Sequence, residues 1–303
     1  MNAADGGNAA GRSPTTLLGW FLASRDRHPH APALRVGDRV WSYSQLDGLA
    51  RDLADRLTAT GPVRRVGLLC RRDAGGLAGY LAALHAGAAV VPLNPENMVD
   101  RNRNIVRQAQ VDSLIADPAD AGHQDALLRA LADTGRRIPV VHPLTTEPRP
   151  STRIPVGRSR ARRVPQTRGP GVGGPPEEGD LACLLFDSGT TGQPKGVPIT
   201  HRQVCAHLAA RGPEDEVGPG DTVSQIHELT SDLSVFELWT AWAGGACVLP
   251  LSRPRDAPTT ARVRDLGITV RTATDPTVSC PQHRWARPEK IDSDPEVLPV
   301  PDR

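Results

Sequence analysis

VGLLCRRDAGGLAGYLAALHAGAAVVPLNPENMVDRNRNIVRQAQVDSLIA, residues Val66 to Ala116, decides the fold class. Its opening run, VGLLC (Val66–Cys70), is short and apolar, as a strand buried on both faces requires. Gly76–Ala86 reads as a helix and AAVVPL (Ala88–Leu93) as the next strand. Arg101–Gln110 is polar and helical, and Ser113–Ala116 is a third strand. Strand, helix, strand, helix, strand at this spacing predicts an α/β fold with parallel sheets flanked by helices, because parallel neighbours need a crossover between them.

Working upstream, Thr16–Arg27 reads as a short helix and Val40–Tyr43 as a strand. Ser44 takes the N-cap position of the following helix, with Asp47 three residues on in a variant of the capping box. Leu46, Leu49, Ala50, Leu53, Ala54 and Leu57 recur at helical spacing and predict one apolar face, which Gly61-Pro62 brings to an end. Working downstream, LACLLF (Leu181–Phe186) is strand-like and His201–Arg211 helical. Thr222–Ile226 reads as a strand, Ser234–Trp242 as a helix and ACVLPL (Ala246–Leu251) as a strand.

These readings divide the chain. Residues 1–14 are small, polar and Gly-rich, and are predicted to be disordered. Residues 15–144 form a first α/β subdomain, 145–179 an Arg/Pro/Gly-rich linker, and 180–270 a second α/β segment. Residues 271–303 carry no periodic face and read as a disordered or frameshifted tail. In the linker, Arg158, Arg160, Arg162 and Arg163 form a basic run that suits either an acidic partner or a solvated connection.

Composition excludes several classes. With 36 Lys+Arg against 34 Asp+Glu in 303 residues, the net charge of +2 predicts no nucleic-acid or anionic-membrane partner. No stretch approaches the roughly 18 consecutive apolar residues of a membrane span. The N-terminal MNAADGGNAAGRSP lacks the basic start and apolar run of a secretory signal, so the expected location is cytoplasmic. The five cysteines, Cys70, Cys183, Cys205, Cys247 and Cys280, include no pair close enough for a zinc ribbon or redox motif, and read as buried free thiols. Lys195 and Lys290 are the only lysines, so a lysine's position carries unusual information here.

The residues that carry chemistry lie in FDSGTTGQPKGV, Phe186–Val197. Gly189, Gly192 and Gly196 let backbone N–H groups approach a ligand. Ser188, Thr190 and Thr191 add hydroxyls and Lys195 adds a fixed cation, a set that suits a polyphosphate. A loop after a buried strand is also where open α/β sheets place ligands. It is not a G-x-x-x-x-G-K-[ST] loop, since Gly196 follows the lysine, nor a G-x-G-x-x-G turn.

FDSGTTGQPKGV resembles the signature loop of the adenylate-forming (AMP-binding) enzymes: acyl- and aryl-CoA ligases, luciferases and the amino-acid adenylation domains of nonribosomal peptide synthetases. Asp187 stands where that signature usually has Thr or Ser. VWSYSQLDGLARDLADRL (Val40–Leu57) and YLAALHAGAAVVPLNPENMVDRNRNIVRQAQVDSLIAD (Tyr80–Asp117) resemble the family's earlier regions. HELTSDLSVFELWTAWAGGACVLPL (His227–Leu251) is similar to the motif F-D-x-S-x-x-[EDW] of amino-acid-activating members, with Ser231 in place of Phe. The resemblance covers roughly residues 16–270 apart from the linker.

The resemblance implies condensation of a carboxylate with ATP to an acyl adenylate, with Mg2+ as the accompanying ion. It implies that Ser188, Gly189, Thr190, Thr191, Gly192 and Lys195 hold the phosphates. Asp232 would pair with a substrate α-ammonium, His227 would border the acyl site, and Leu233 and Phe236 would line the side-chain site. A helix-terminal carboxylate is the alternative reading of Asp232, and an ordinary half-buried histidine that of His227. The implied acceptor is a carrier-protein phosphopantetheine thiol or CoA.

The family's adenine-binding stretch, Mg2+-binding acidic residue, ribose-binding Asp, hinge and late catalytic lysine have no match, so the catalytic residues and metal ligands stay unassigned. The chain therefore resembles the N-terminal half of the family's large domain. Three functions follow as expectations: an amino-acid adenylation enzyme in a truncated form, inactive or incomplete, that does not complete adenylation alone; a nucleotide-binding half-domain that needs a C-terminal partner; or part of an acyl-CoA ligase for a non-amino carboxylic acid.

Overall fold

The computed structural model describes residues 13–59, 61–132, 137–143, 176–187, 194–210, 217–251, 265–272 and 282–284. The first half contributes α1 (Leu17–Arg27), β1 (Pro32–Val36), β2 (Arg39–Ser42), α2 (Tyr43–Thr58), β3 (Arg65–Leu69), α3 (Ala74–His85) and β4 (Ala89–Leu93). Then follow α4 (Val99–Gln108), β5 (Ser113–Ala116), a 3-10 turn at Pro118–Asp120, α5 (Ala121–Leu131) and β6 (Val140–Val141). After the linker come β7 (Leu181–Asp187), β8 (Lys195–Thr200), α6 (His201–Ala209), β9 (Thr222–Gln225), α7 (Asp232–Gly244), β10 (Cys247–Pro250), β11 (Val270–Thr272) and β12 (Gln282–Arg284).

The strands form two six-stranded sheets, ordered β6-β5-β3-β4-β7-β8 and β12-β11-β9-β10-β1-β2. Pairing is parallel except for β7 with β8, β1 with β2 and β11 with β12. The fold is therefore α/β with mostly parallel sheets and flanking helices. Each sheet takes strands from both sides of the linker, because β7 and β8 join β3 to β6 while β1 and β2 join β9 to β12.

In the first sheet β3 runs through α3 to β4 on one side, and β4 runs through α4 to β5 on the other. The two helices accordingly lie on opposite faces. Val66, Leu68 and Val90 pack with α3 in the larger core, whereas Leu69, Val91 and Leu93 pack with Ile105 and Val106 of α4. The chain leaves the adjacent carboxyl ends of β3 and β4 towards opposite faces, while the topological switch point, where connections run apart, lies between β3 and β5. Parallel pairing of Val90 with Cys183 sets β7 beside β4, so its carboxyl end opens on the same edge.

The larger core joins the two sheets through α1, α2, α3 and α7. α3 is apolar nearly all round and is buried from Ala74 to Leu84 apart from Gly75, as a helix enclosed by other elements must be. α7 meets it through Tyr80 and Trp239, whose ring centroids lie 6.0 Å apart. Across the core, Trp242 donates its indole N–H to the Ala33 carbonyl (3.1 Å), and Tyr43 donates its hydroxyl to Ala246 (2.7 Å).

Several expectations need correction. The cap of α2 is Ser42, not Ser44. Ser42 Oγ accepts from the Gln45 N–H, and the Gln45 side chain accepts from the Ser42 N–H, which completes a true capping box. Asp47, released from any capping role, is buried and meets Arg25, Arg51 and His85. Five of the six expected apolar positions of α2 are buried, and Leu49 is half-buried. Strands β1, β6 and β8 and helix α5 carry no expectation; β8 is largely exposed at a sheet edge and holds Pro198, so no alternation marks it. Short strands β11 and β12 fall partly within 271–303, the segment expected to lack pattern. The basic run Arg158–Arg163 and residues 1–12 lie outside the described residues.

Candidate functional site

β7 and β8, on either side of residues 188–194, form an antiparallel pair. Asp187 faces Lys195 and Phe186 faces Gly196 in the register. A Cβ at Gly196 would sit 3.2 Å from the Phe186 ring and 3.3 Å from Leu184, so glycine keeps the two strands close at the loop's base. Lys195 is exposed at the start of β8. Ser188, Gly189, Thr190, Thr191 and Gly192 lie outside the described residues. β8 then leads directly into α6, whose Thr200 cap is closed by Gln203.

α6 packs on α7 through His207 and Phe236, with ring centroids 4.6 Å apart in an edge contact. Phe236 and Leu233 are both half-buried. Asp232 is the first residue of α7 and is exposed, and its carboxylate accepts the Leu233 N–H at 2.8 Å. The cap itself is Ser231, whose hydroxyl also accepts from Leu233 (3.3 Å). A helix N-terminus favours a carboxylate, so its position accounts for an acid there without a ligand. Its exposure leaves it able to meet one.

His227 sits in the segment between β9 and α7. Its Nδ1 lies 2.8 Å from Glu237 Oε1, and the Glu237 side chain is fully buried. The Glu237 carboxylate also accepts the N–H groups of Ile226 and His227, each at 3.1 Å. Arg72, after β3, holds the same segment from the other sheet: Nη1 donates to the carbonyls of Ile226 (2.6 Å) and Gln225 (3.2 Å), and Nη2 pairs with Glu228 at 3.0 Å. Sequence reasoning passed over both. Glu237 stands at the last position of the F-D-x-S-x-x-[EDW] motif and could have been found there; one arginine among many gave no signal.

A cleft of about 280 Å³ opens at the carboxyl ends of β3 and β4, lined by Cys70, Arg71, Arg72, Asp73, Asn94 and Glu228 among others. Asp73 caps α3 by accepting the Gly76 N–H (2.9 Å), and burial raises its pKa. Arg71 bridges Asp120 (2.9 Å) and Glu96 (3.3 Å).

No thiol is poised for attack among the described residues. Cys70, Cys183, Cys205 and Cys247 are buried and free. Burial pushes Cys183 up to about 12 and Cys205 and Cys247 up to about 11, so the reactive thiolate is scarce at neutral pH. Among the described residues, no group of three or more His, Cys, Asp or Glu side chains is placed to hold a metal, and no helix is long and apolar enough to cross a membrane.

Comparison with known proteins gives concordant results. The family model described as AMP-binding enzyme matches residues 21–278. Malformin synthetase mlfA of Aspergillus sclerotiicarbonarius is 31% identical over 252 residues, 82% of this chain and 4% of that protein. Nonribosomal peptide synthetase 32 of Fusarium pseudograminearum is 31% identical over 249 residues, 81% of this chain and 3% of that protein. Among solved structures, IdnL7 superposes with a TM-score of 0.66 at 33% identity, over 84% of this chain and 49% of that one. The chain thus spans a small part of these synthetases and about half of IdnL7.

Proposed function

This chain belongs to the AMP-binding enzyme family, and we propose that it serves the ATP-dependent activation of an amino-acid carboxylate as an acyl adenylate. Asp232 supports this reading most directly: a carboxylate open to solvent at the start of α7 can take a substrate α-ammonium. Leu233 and Phe236, on the same first turns, offer apolar surface to the substrate side chain.

Lys195, with the hydroxyls of Ser188, Thr190 and Thr191 and the backbone at Gly189 and Gly192, would hold the β- and γ-phosphates. ATP supplies the adenylyl group. The substrate carboxylate attacks the α-phosphorus, and the bond to the departing pyrophosphate breaks. Neutralising the phosphate charge is the contribution asked of Lys195. Mg2+ would accompany the phosphates and shield their charge. His227 would border the acyl site. The activated acid would pass to a carrier-protein phosphopantetheine thiol, or to CoA, in the cytoplasm.

The test is amino-acid-dependent exchange of labelled pyrophosphate into ATP by the purified chain, with ATP binding followed by calorimetry in parallel. Exchange that depends on one amino acid supports the proposal. ATP binding without exchange for any amino acid overturns adenylation by this chain alone and leaves a nucleotide-binding unit that needs a partner.

A further inference from the structure

The segment from Gln225 to Glu228 is held by two buried side chains of opposite charge from different parts of the fold. Glu237 takes the N–H of Ile226, and Arg72 takes its carbonyl, so one residue is gripped at both ends. Glu237 also takes the N–H and the ring Nδ1 of His227. Arg72 adds the Gln225 carbonyl and the Glu228 carboxylate. The Gln225 side-chain amide donates to the His227 carbonyl and closes the set.

This is a costly way to hold a loop. Arg72 is only 7% exposed and Glu237 is wholly buried. Burying a charge is tolerated only where hydrogen bonds replace its water, and here the replacement partners are the backbone and side-chain groups of a single segment. Shape alone could be kept by apolar packing or by a neutral amide. Two ionised groups fix direction as well as shape, because the carboxylate can only accept and the guanidinium can only donate.

We infer that Arg72 and Glu237 are positioning residues that hold His227 in one orientation beside the substrate-binding start of α7, with its ring proton on Nδ1. The Glu237 carboxylate can only accept, so Nδ1 carries a proton and Nε2 is the ring atom left to meet the substrate. Arg72 reaches across from the end of β3, so the grip also ties the cleft at the ends of β3 and β4 to the substrate segment of the other sheet. The inference rests on the adenylation reading for what His227 meets, but not for how it is held.

The test uses the full chain with 15N-labelled histidine, compared with Glu237→Gln and Arg72→Lys. Glutamine keeps the size of the side chain but loses half its acceptors; lysine keeps the charge but loses the fork. The expected wild-type 15N spectrum shows His227 protonated at Nδ1, and Glu237→Gln loses that preference. In pyrophosphate exchange, each variant is expected to raise the amino-acid KM about tenfold with a smaller change in kcat, at unchanged helix content. An identical His227 tautomer in wild type and Glu237→Gln overturns the inference, as does an unchanged KM in both variants. If Glu237→Gln does not fold, the spectrum and KM of Arg72→Lys decide alone. A wild-type chain that shows the Nδ1 tautomer but no exchange overturns the adenylation reading and not the grip on His227.

Discussion

The backbone N–H of Leu17 donates to Nδ1 of His201 across 184 residues of sequence, at 3.2 Å. Leu17 opens α1 and His201 opens α6, so an otherwise unpaired donor at one helix start is satisfied by the first side chain of another. The bond requires a ring nitrogen without a proton. Burial lowers the His201 pKa from 6.5, against an opposing pull from Asp180, which keeps the ring neutral.

That relationship predicts a pH dependence. The folded pKa lies below the unfolded one, so the unfolded chain takes up the proton first as pH falls through about 6.5. The stability contributed by neutral His201 is complete above that value and is lost progressively below it. Urea midpoints at pH 7.5 and 5.5 should differ, with the lower value at pH 5.5. His201→Gln should narrow the difference; an equal difference in the variant would place its origin elsewhere.

Asp47 should act in a lower window. Burial pushes its pKa up, but hydrogen bonds from His85 and Arg25 and their charges outweigh this and bring it from 3.8 to about 2. Its contribution is therefore present above pH 3.8 and is lost as pH falls towards about 2. Asp47→Ala leaves Arg25 and His85 without a shared carboxylate between α1, α2 and α3, and should cost about 3 kcal/mol at pH 7 by urea unfolding. A loss below about 1 kcal/mol would show the cluster to be a surface-like ion pair.

Two glycine substitutions should move stability in opposite directions. A Cβ at Gly76 would lie 2.0 Å from the Arg71 carbonyl oxygen, a backbone atom, so the chain itself would have to shift to admit it. Gly76→Ala should destabilise by about 2 kcal/mol or more, although alanine is the better helix former. Gly48, exposed on α2, has nothing within 4 Å of its added Cβ. Gly48→Ala should raise stability by up to about 1 kcal/mol, read as a rise in melting temperature.

Lys195 and Asp232 are both exposed, so replacing either should leave the melting temperature unchanged. Lys195→Ala should weaken ATP binding about tenfold in calorimetry, through loss of a charge-assisted contact. Asp232→Asn should remove the advantage of an amino acid over its desamino analogue while sparing ATP affinity. Equal losses for both acids would place Asp232 outside ammonium recognition.

The fold was most legible where burial is complete. Val66–Cys70, Ala88–Leu93 and Ser113–Ala116 read as strands because both faces are covered and every position is apolar or small. β8 was not legible, since an exposed edge strand needs no apolar pattern and is specified by its pairing with β7. The cap of α2 was misread by two residues: Ser42 and Ser44 both suit a cap, and only the backbone hydrogen bonds choose between them. In the site, Lys195 stood out as a rare lysine closing a Gly/Ser/Thr loop, and Asp232 stood out only through the family resemblance. Arg72 did not, because its partners lie more than 150 residues away.

The sequence by itself determined the fold class, the family and the order of its motifs, since these rest on local periodicity and on residues close together in the chain. The tertiary structure decided how segments on either side of the linker interleave into two sheets, because strand pairing is set by packing over long separations. It also decided the roles of Asp47, His201, Arg72 and Glu237. Each is an ordinary surface letter in sequence, and burial makes each depend on partners that only the folded chain brings within hydrogen-bonding distance.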